Sequence, residues 1–480
     1  MSQSKNETVV LLLALLLTLG LVGAGIWWFS QLSQGNRGGT TTSNGRSISE
    51  RISVGEKGLL SGANAAKQQG IEAIAKGDYS QAILRLQASL QIQKNDPEAL
   101  IYLNNARIGT GKSYTIAASL PIGSDPNGAL EILRGIAQAQ DRVASAGGIN
   151  GVKLKIAIAN DDNNPQVAEQ VAAALVKDST ILGVVGPYAS DVTLAAGSVY
   201  NSGQLVAISP ISTSVKLSGF SPYIFRTVPS DYVAARALAN YMTSNLQKTH
   251  AAVFFNSQSG YSQSLKSEFV TAVSLGGGQV EAEFDLSDPG FSAARSVKQA
   301  SDRGADILML ATNTGELDKA LQVLQVNNKR LQILAGDDVY APKTLEVGGG
   351  AAVGMVVAVP WHIDRAGFGG LLRNKSSAVS FADANSNSEF VRQSRQLWTG
   401  DVNWRTALAY DATVALIAAI QRSPTRTGVQ QALRSPDFTV PGAAGNIRFL
   451  PSGDRNAPVQ LVQIVPGKRS GTGYDFVPLR

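Results

Sequence analysis

Three hydroxyl residues, placed just past the ends of two apolar runs, carry the first chemical signal in this 480-residue chain. In Ile181–Ser214, ILGVVGPYASDVTLAAGSVYNSGQLVAISPISTS, the run Ile181–Val185 stops at Gly186-Pro187 and the run Leu205–Ile208 stops at Ser209-Pro210. Ser190 follows the first run, and Ser212 and Thr213 follow the second. Hydroxyls and backbone N–H groups beside a helix N-terminus suit a carboxylate or another anion. Ser190 alone also suits a simple N-cap for the helix behind it. A second hydroxyl loop on a neighbouring strand shifts the balance toward a site, because ligands of open parallel sheets bind at the carboxyl ends of strands. Other chemistry has little material. There is no cysteine, which removes disulfides, thiol catalysis and Cys-ligated zinc. His250 and His362 are the only histidines and lie far apart in sequence. Neither a Gly-x-Ser-x-Gly elbow nor HExxH occurs. ARIGTGKS at Ala106–Ser113 ends like a phosphate loop, yet a helix is expected before it and a strand after it, the reverse of what phosphate binding needs. No catalytic residue, metal or cofactor is expected.

The elements that must position these hydroxyls follow from the pattern. Short β-branched runs such as Ile181–Val185 fit strands buried on both faces. From Tyr114 onward such runs alternate with helical spacing, which indicates parallel βαβ units. Strands are expected at Tyr114–Leu120 and Val152–Ala159, and helices at Ala129–Ser145, Pro165–Lys177 and Ala189–Tyr200. Tyr223–Val228 leads into Pro229-Ser230, a crossover to a second lobe with strands at Ala251–Phe255, Gln279–Phe284, Asp306–Ala311 and Leu331–Leu334. Met355–Val359 crosses back, helices Ser386–Trp398, Trp404–Gln421 and Thr427–Leu433 rejoin the first lobe, and Val459–Val465 is a late strand of the second. The fold class is therefore α/β, with two doubly wound lobes and a hinge, preceded by a transmembrane helix and a short α-helical hairpin. The first lobe takes about residues 113–229 and 358–456, the second about 230–357 and 457–480. A cleft between such lobes can close on a ligand by hinge motion.

The N-terminal part has a different character. After a tail of residues 1–8, Val9–Phe29 is uncharged and long enough to span a bilayer, with Trp27, Trp28 and Phe29 at one end as an interfacial belt. A cleaved signal peptide with Val22-Gly23-Ala24 at its end competes with an uncleaved anchor. Charge does not orient the helix: Lys5 is offset by Glu7 on one side, and Arg37, Arg46 and Arg51 lie on the other. Ser30–Ser61 is rich in Gly, Ser, Thr and Asn and reads as a flexible tether. Residues 62–108 hold two amphipathic helices around Gly77-Asp78-Tyr79 and a third helix, Glu98–Arg107. The positions Gly70, Ala73, Ala82, Leu86, Leu90 and Asn95-Asp96-Pro97 make this segment similar to one tetratricopeptide repeat. One repeat cannot bury its own face, so it packs on the next domain, on a second copy or on a partner. A spacer holding the lobes off the membrane is the simpler alternative.

Composition narrows the function classes. Hydrophobic residues make up 44% and charged residues 16%, a globular balance, and 480 residues exceed one ordinary core. The net charge of +6 is small for this length and no dense basic run occurs, so nucleic acid is not an expected partner.

GPYASDVT followed by AISPISTS resembles the paired loops of the type I periplasmic binding proteins, in the leucine/isoleucine/valine-binding branch. AGGINGVKLKIAIANDDNNPQVA at Ala146–Ala168, FRTVPSD at Phe225–Asp231, GYSQS at Gly260–Ser264 and AGDDVY at Ala335–Tyr340 stand in the family's order, so the resemblance runs from about Ser113 to the C-terminus. It implies that Ser190 and Thr213 hold a ligand carboxylate and that the Ile211 carbonyl meets the ammonium, with Ser212 between them also counted among the ligand-binding residues. It implies that Tyr261 lines the cleft from the second lobe and that Asp338 pairs with the ammonium. Asn313 falls near a family tyrosine, and the first loop, GSDPNG, lacks the family's aromatic. With fewer apolar walls, Asp125, Asn313 and Asp337 point to a ligand with a polar or cationic side chain.

The resemblance further implies a receptor on the outer side of the inner membrane, single-pass, capturing an amino acid or similar small polar solute for an ABC permease or a membrane sensor. The competing function is a ligand-free interaction protein that regulates an envelope enzyme through its helical and binding-protein-like modules. Lipoprotein activators of peptidoglycan synthesis combine similar parts. The set Ser190, Thr213 and Asp338 favours capture, and no nucleophile–base pair for an enzyme can be assembled.

Overall fold

The apolar runs of the first lobe become strands that no water reaches. In the computed structural model, which describes residues 47–364 and 381–479, a short strand β1 (Ile52–Ser53) precedes β2 (Ser113–Leu120), β3 (Lys153–Asn160), β4 (Ile181–Val185), β5 (Ala207–Ser209) and β6 (Ile224–Arg226). They form one sheet in the order β1-β3-β2-β4-β5-β6, parallel from β3 to β6 and antiparallel at β1. Every residue of β4, β5 and β6 is buried, as a central sheet covered on both faces requires.

The second lobe has seven strands: β7 (His250–Phe255), β8 (Gln279–Asp285), β9 (Ile307–Ala311), β10 (Gln332–Ala335), β11 (Val356–Val359), β14 (Gln460–Pro466) and β15 (Tyr474–Pro478). Their order is β15-β14-β11-β10-β9-β7-β8, parallel over the five strands from β8 to β11 and antiparallel at β14 and β15. The late strand expected at Val459–Val465 is β14. Its antiparallel partner β15, and a small hairpin of β12 (Val440–Gly442) and β13 (Gly445–Ile447), have no counterpart in the sequence reading.

Helices cover both sheets. α1 (Ala65–Ala75), α2 (Tyr79–Ile92) and α3 (Pro97–Ile108) come first; α4 (Pro126–Ser145), α5 (Pro165–Lys177) and α6 (Ser190–Ser202) belong to the first lobe. α7 (Asp231–Asn240), α8 (Gly260–Leu275), α9 (Ala293–Asp302), α10 (Leu317–Asn327) and α11 (Pro342–Gly348) belong to the second. α12 (Phe381–Trp398), α13 (Trp404–Arg422) and α14 (Arg426–Arg434) return to the first, where α13 lies against α4 and β4. Two charges sit within the apolar stretch Trp404–Ile420, Arg405 and Asp411, and both are buried. Asp411 is paired with Arg455 at 2.6 Å and accepts the Ala444 amide at 3.1 Å, which locks α13 to the β12–β13 hairpin.

The helical segment is joined to the first lobe. α3 is buried on nearly all sides. Asn105 spends both ends of its amide on this contact: Nδ2 donates to the Val54 and Ile156 carbonyls at 2.8 Å each, and Oδ1 accepts the Ile156 amide at 3.1 Å. Lys67 on α1 is buried between Asp96 at 2.8 Å and Glu98 at 2.7 Å. ARIGTGKS begins in the last turn of helix α3 and ends at the first residue of strand β2, the arrangement that argues against a phosphate loop.

One boundary is corrected. The tether expected over Ser30–Ser61 does not extend through residues 51–61. Arg51 is buried and pairs with Asp162 at 2.6 Å, β1 is hydrogen-bonded along β3, and the Leu59 amide donates to Glu98 at 2.7 Å. Polar composition masked this, because the four apolar residues that pack on the core, Ile52, Val54, Leu59 and Leu60, are spread among polar ones, and the rest of the anchoring is backbone pairing and one ion pair. The expected transmembrane stretch Val9–Phe29 lies outside the described residues, among which no helix is long and apolar enough to cross a membrane.

Candidate functional site

β4 ends in a turn that only glycine fits. Gly186 has φ +115°, and a Cβ there would lie 2.2 Å from the Ser119 carbonyl oxygen. The chain then enters α6 with Ser190 as its first residue; the N-cap is Ala189, which has no side-chain cap bond. Ser190 Oγ instead accepts the Ser214 amide of the next loop at 3.2 Å. Ser212 Oγ donates to the Tyr188 carbonyl at 2.9 Å and shares a 2.7 Å bond with Thr193 Oγ1. Ser212 therefore ties the two loops together and does not present a free hydroxyl. Ile211 is buried, its amide donating to Ser209 Oγ at 3.3 Å. Thr213 accepts the Asp231 amide on its carbonyl at 2.9 Å, which brings the first turn of α7 against the loop.

From the second lobe, Tyr261 in the first turn of α8 is buried and its hydroxyl donates to Asp337 Oδ1 at 2.6 Å. Asn313 is half-buried, its Oδ1 accepting Asn256 Nδ2 at 2.9 Å. Asp338 Oδ2 accepts the Thr314 amide at 3.1 Å, and its Oδ1 pairs with Arg405 Nη2 at 2.9 Å. Two further bonds join the lobes here: the Gly260 amide to Asp191 Oδ2 at 2.7 Å, and the Val215 amide to Ser264 Oγ at 3.0 Å. The expected residues thus gather along one gap between the lobes.

Two polar atoms in that gap stand out. Thr213 Oγ1 and Asp231 Oδ2 are both buried, and neither completes a hydrogen bond among the described residues. Burial pushes the Asp231 carboxyl up to about 7, eased by the nearby hydroxyls of Ser264 and Thr213 and by Arg226. Burial also raises Asp337, with Asp338 beside it adding to the effect. Asp338 is raised by burial against the opposing pull of Arg405. Tyr261 is held well above the ordinary phenol range by burial and by the neighbouring acids Asp337, Asp338 and Asp231. Among the described residues no group of His, Asp and Glu is arranged to hold a metal ion. A cavity of about 400 Å³ adjoins the site at Glu131 and Tyr340, and none of the residues expected from sequence lines it.

The sequence profile of the periplasmic binding protein family matches residues 116–471. The chain belongs to the periplasmic binding protein family. An amino acid binding protein of Pseudomonas aeruginosa is 34% identical over 134 residues, covering 28% of this chain and 35% of that relative. A leucine-specific-binding protein of Salmonella typhimurium is 26% identical over 236 residues, covering 48% of this chain and 62% of that relative. A leucine binding protein from Thermotoga maritima superposes with a TM-score of 0.63 at 22% identity, over 76% of this chain and 97% of that one. These relatives are solute-binding proteins, not enzymes.

Within this periplasmic binding protein, sequence reading missed Asp231 and Arg405. Asp231 closes the quoted FRTVPSD motif, and its place at a helix start just past the crossover was the available signal. Arg405 had a weaker one, a cation within an otherwise apolar helix face. Asp161 and Asp162, just past the end of β3, do structural work: Asp161 accepts Ser119 Oγ at 2.7 Å and Asp162 holds Arg51.

Proposed function

We propose that this chain captures a small zwitterion, an amino acid or a close relative, between its two lobes. The observation that carries the reading is the pair of buried atoms left without partners, Thr213 Oγ1 and Asp231 Oδ2. Buried polar groups of this kind need partners, and a zwitterion offers both signs at once. The ligand carboxylate meets the hydroxyls of Ser190 and Thr213. Its ammonium meets the Ile211 carbonyl and Asp231, with Tyr261 and Asn313 lining the cleft. Asp338 is spent on Arg405, so the ammonium seat moves from Asp338 to Asp231. The leucine-specific relative supports the amino-acid class.

The chain delivers this solute to an ABC permease or presents it to a membrane sensor. Val9–Phe29 anchors it in the inner membrane with the bulk on the outer side. The test is a thermal-shift screen of the full chain, with detergent present, against the amino acids. A ligand at a hundred times its dissociation constant stabilises by about 2.7 kcal/mol. Ser190→Ala and Asp231→Ala each remove most of that shift; a shift unchanged in both variants refutes the site.

The second reading is the ligand-free regulator. It is favoured by the number of bonds the lobes make with each other directly, Arg405 to Asp338, Gly260 to Asp191 and Val215 to Ser264. A regulator of that kind shows no shift with any amino acid.

A further inference from the structure

We propose that Arg405 makes this cleft select a ligand with a neutral hydrogen-bonding side chain, of the carboxamide class, over one with a branched apolar side chain. This rests on the capture reading above. Arg405 sits in the first turn of α13 and is 4% exposed. Its Nη2 meets Asp338 Oδ1 at 2.9 Å, and its Nη1 donates to the Tyr340 carbonyl at 3.3 Å and lies 3.7 Å from Glu131 Oε2. The buried Nε–H finds no acceptor among the described residues.

The surroundings place this donor beside the ligand loops. Tyr188, whose carbonyl receives Ser212, is buried and feels Arg405, Asp338, Asp125 and Glu131 together. Its ring lies over the start of α4, where a Cβ on Gly128 would come within 3.1 Å of Tyr188 Cε2. Tyr188, two residues before Ser190, thus shares its surroundings with one guanidinium and its flanking carboxylates.

Charge and hydrogen bonding then choose the side chain. A cationic side chain meets the Arg405 guanidinium, and an anionic one meets Asp338 and Glu131, so neither sign of charge is favoured outright. A branched alkyl group leaves the Arg405 Nε–H dry and unmet. A carboxamide accepts from Nε–H through its oxygen and donates to a carboxylate through its nitrogen. The cationic alternative raised by Asp125, Asn313 and Asp337 is disfavoured by a residue that sequence reading had not placed in the cleft.

The test is calorimetric titration of the full chain with glutamine, asparagine, leucine, glutamate and arginine. At least one of the two amides is expected to bind about tenfold to a hundredfold tighter than each of the other three, the range one buried hydrogen bond supplies. Leucine, glutamate or arginine matching or exceeding both amides overturns this inference while the capture reading stands. No binding by any of the five overturns this inference, and the capture reading falls with it only when the thermal-shift screen of all the amino acids is blank as well. Arg405→Met, checked for folding by circular dichroism, is expected to lose the preference for amides over leucine. A preference kept in the folded variant overturns the role of Arg405. If the variant does not fold, the wild-type series decides by itself.

Discussion

Arg405 and Asp338 reach from opposite lobes to form a 2.9 Å ion pair between a buried guanidinium and a mostly buried carboxylate. Removing one partner leaves the other charge buried and uncompensated, which typically costs about 3–5 kcal/mol. Arg405→Met is therefore expected to lower stability by about that amount. Asp338→Asn, whose single amide oxygen replaces only one of the two acceptors that meet Arg405 and the Thr314 amide, costs less, roughly 1–3 kcal/mol. Urea unfolding followed by circular dichroism checks the order; equal losses show that the charge is not what matters.

Gly260 tests how closely the lobes must approach. A Cβ at this position would lie 2.2 Å from Asp191 Oδ1, the carboxylate whose other oxygen accepts the Gly260 amide. Gly260→Ala is expected to weaken binding of the ligand found in the thermal-shift screen by about tenfold, the worth of one good hydrogen bond to a charged group. Calorimetry reads this directly, and an unchanged dissociation constant shows that the contact is not needed for closure.

The buried acids set a pH dependence. Burial holds Asp231 at about 7 and Asp161 at about 6, both above the ordinary carboxylate range. The folded protein therefore keeps these protons more tightly than the unfolded chain does, and stability falls as pH rises from about 4 through 7. Asp337 is also held at about 7, so Asp231→Asn removes only Asp231's share of the upper part of that decline. Melting temperatures of both proteins across this window check it; a wild-type profile that rises through the window contradicts the assignment.

Lys67 is the pivot of the helical segment, buried between Asp96 and Glu98. Lys67→Met leaves two carboxylates without their cation and is expected to cost about 3–5 kcal/mol. Hydrogen exchange localises the loss: amides of α1 and α3 lose protection first, while those of β9 and β10 in the other lobe keep theirs.

The segment before α1 supplies a further expectation. A chain starting at Ser61 lacks Arg51, β1 and the Leu59 bond to Glu98. It is expected to melt several degrees below one starting at Ser47, because it exposes the edge of β3 and removes the Arg51–Asp162 ion pair. Equal melting points in a scanning calorimeter show residues 47–60 to be dispensable.

Much of the architecture could be read before any coordinates. The apolar runs ending at Gly186-Pro187 and Ser209-Pro210 are β4 and β5, and the late run at Val459–Val465 is β14. Such runs betray themselves because a strand buried on both faces has no polar alternation to hide it. β15 and the β12–β13 hairpin escaped because their residues are mixed and only half-buried. Residues 51–61 escaped because their few apolar residues, Ile52, Val54, Leu59 and Leu60, are scattered among polar ones and backbone pairing leaves no mark in composition.

What the order of residues determined by itself was local: where strands stop, where helices begin, and that hydroxyls at 190, 212 and 213 share two neighbouring loops. Partnership was decided only by tertiary structure. Ser212 turned inward to join the loops, Asp338 was taken by a cation 67 residues away, and Asp231 was left with an unpartnered oxygen beside Thr213. The physical reason is that a side chain's type states what it can bond, whereas the distance and burial that choose the bond arise only when two lobes meet.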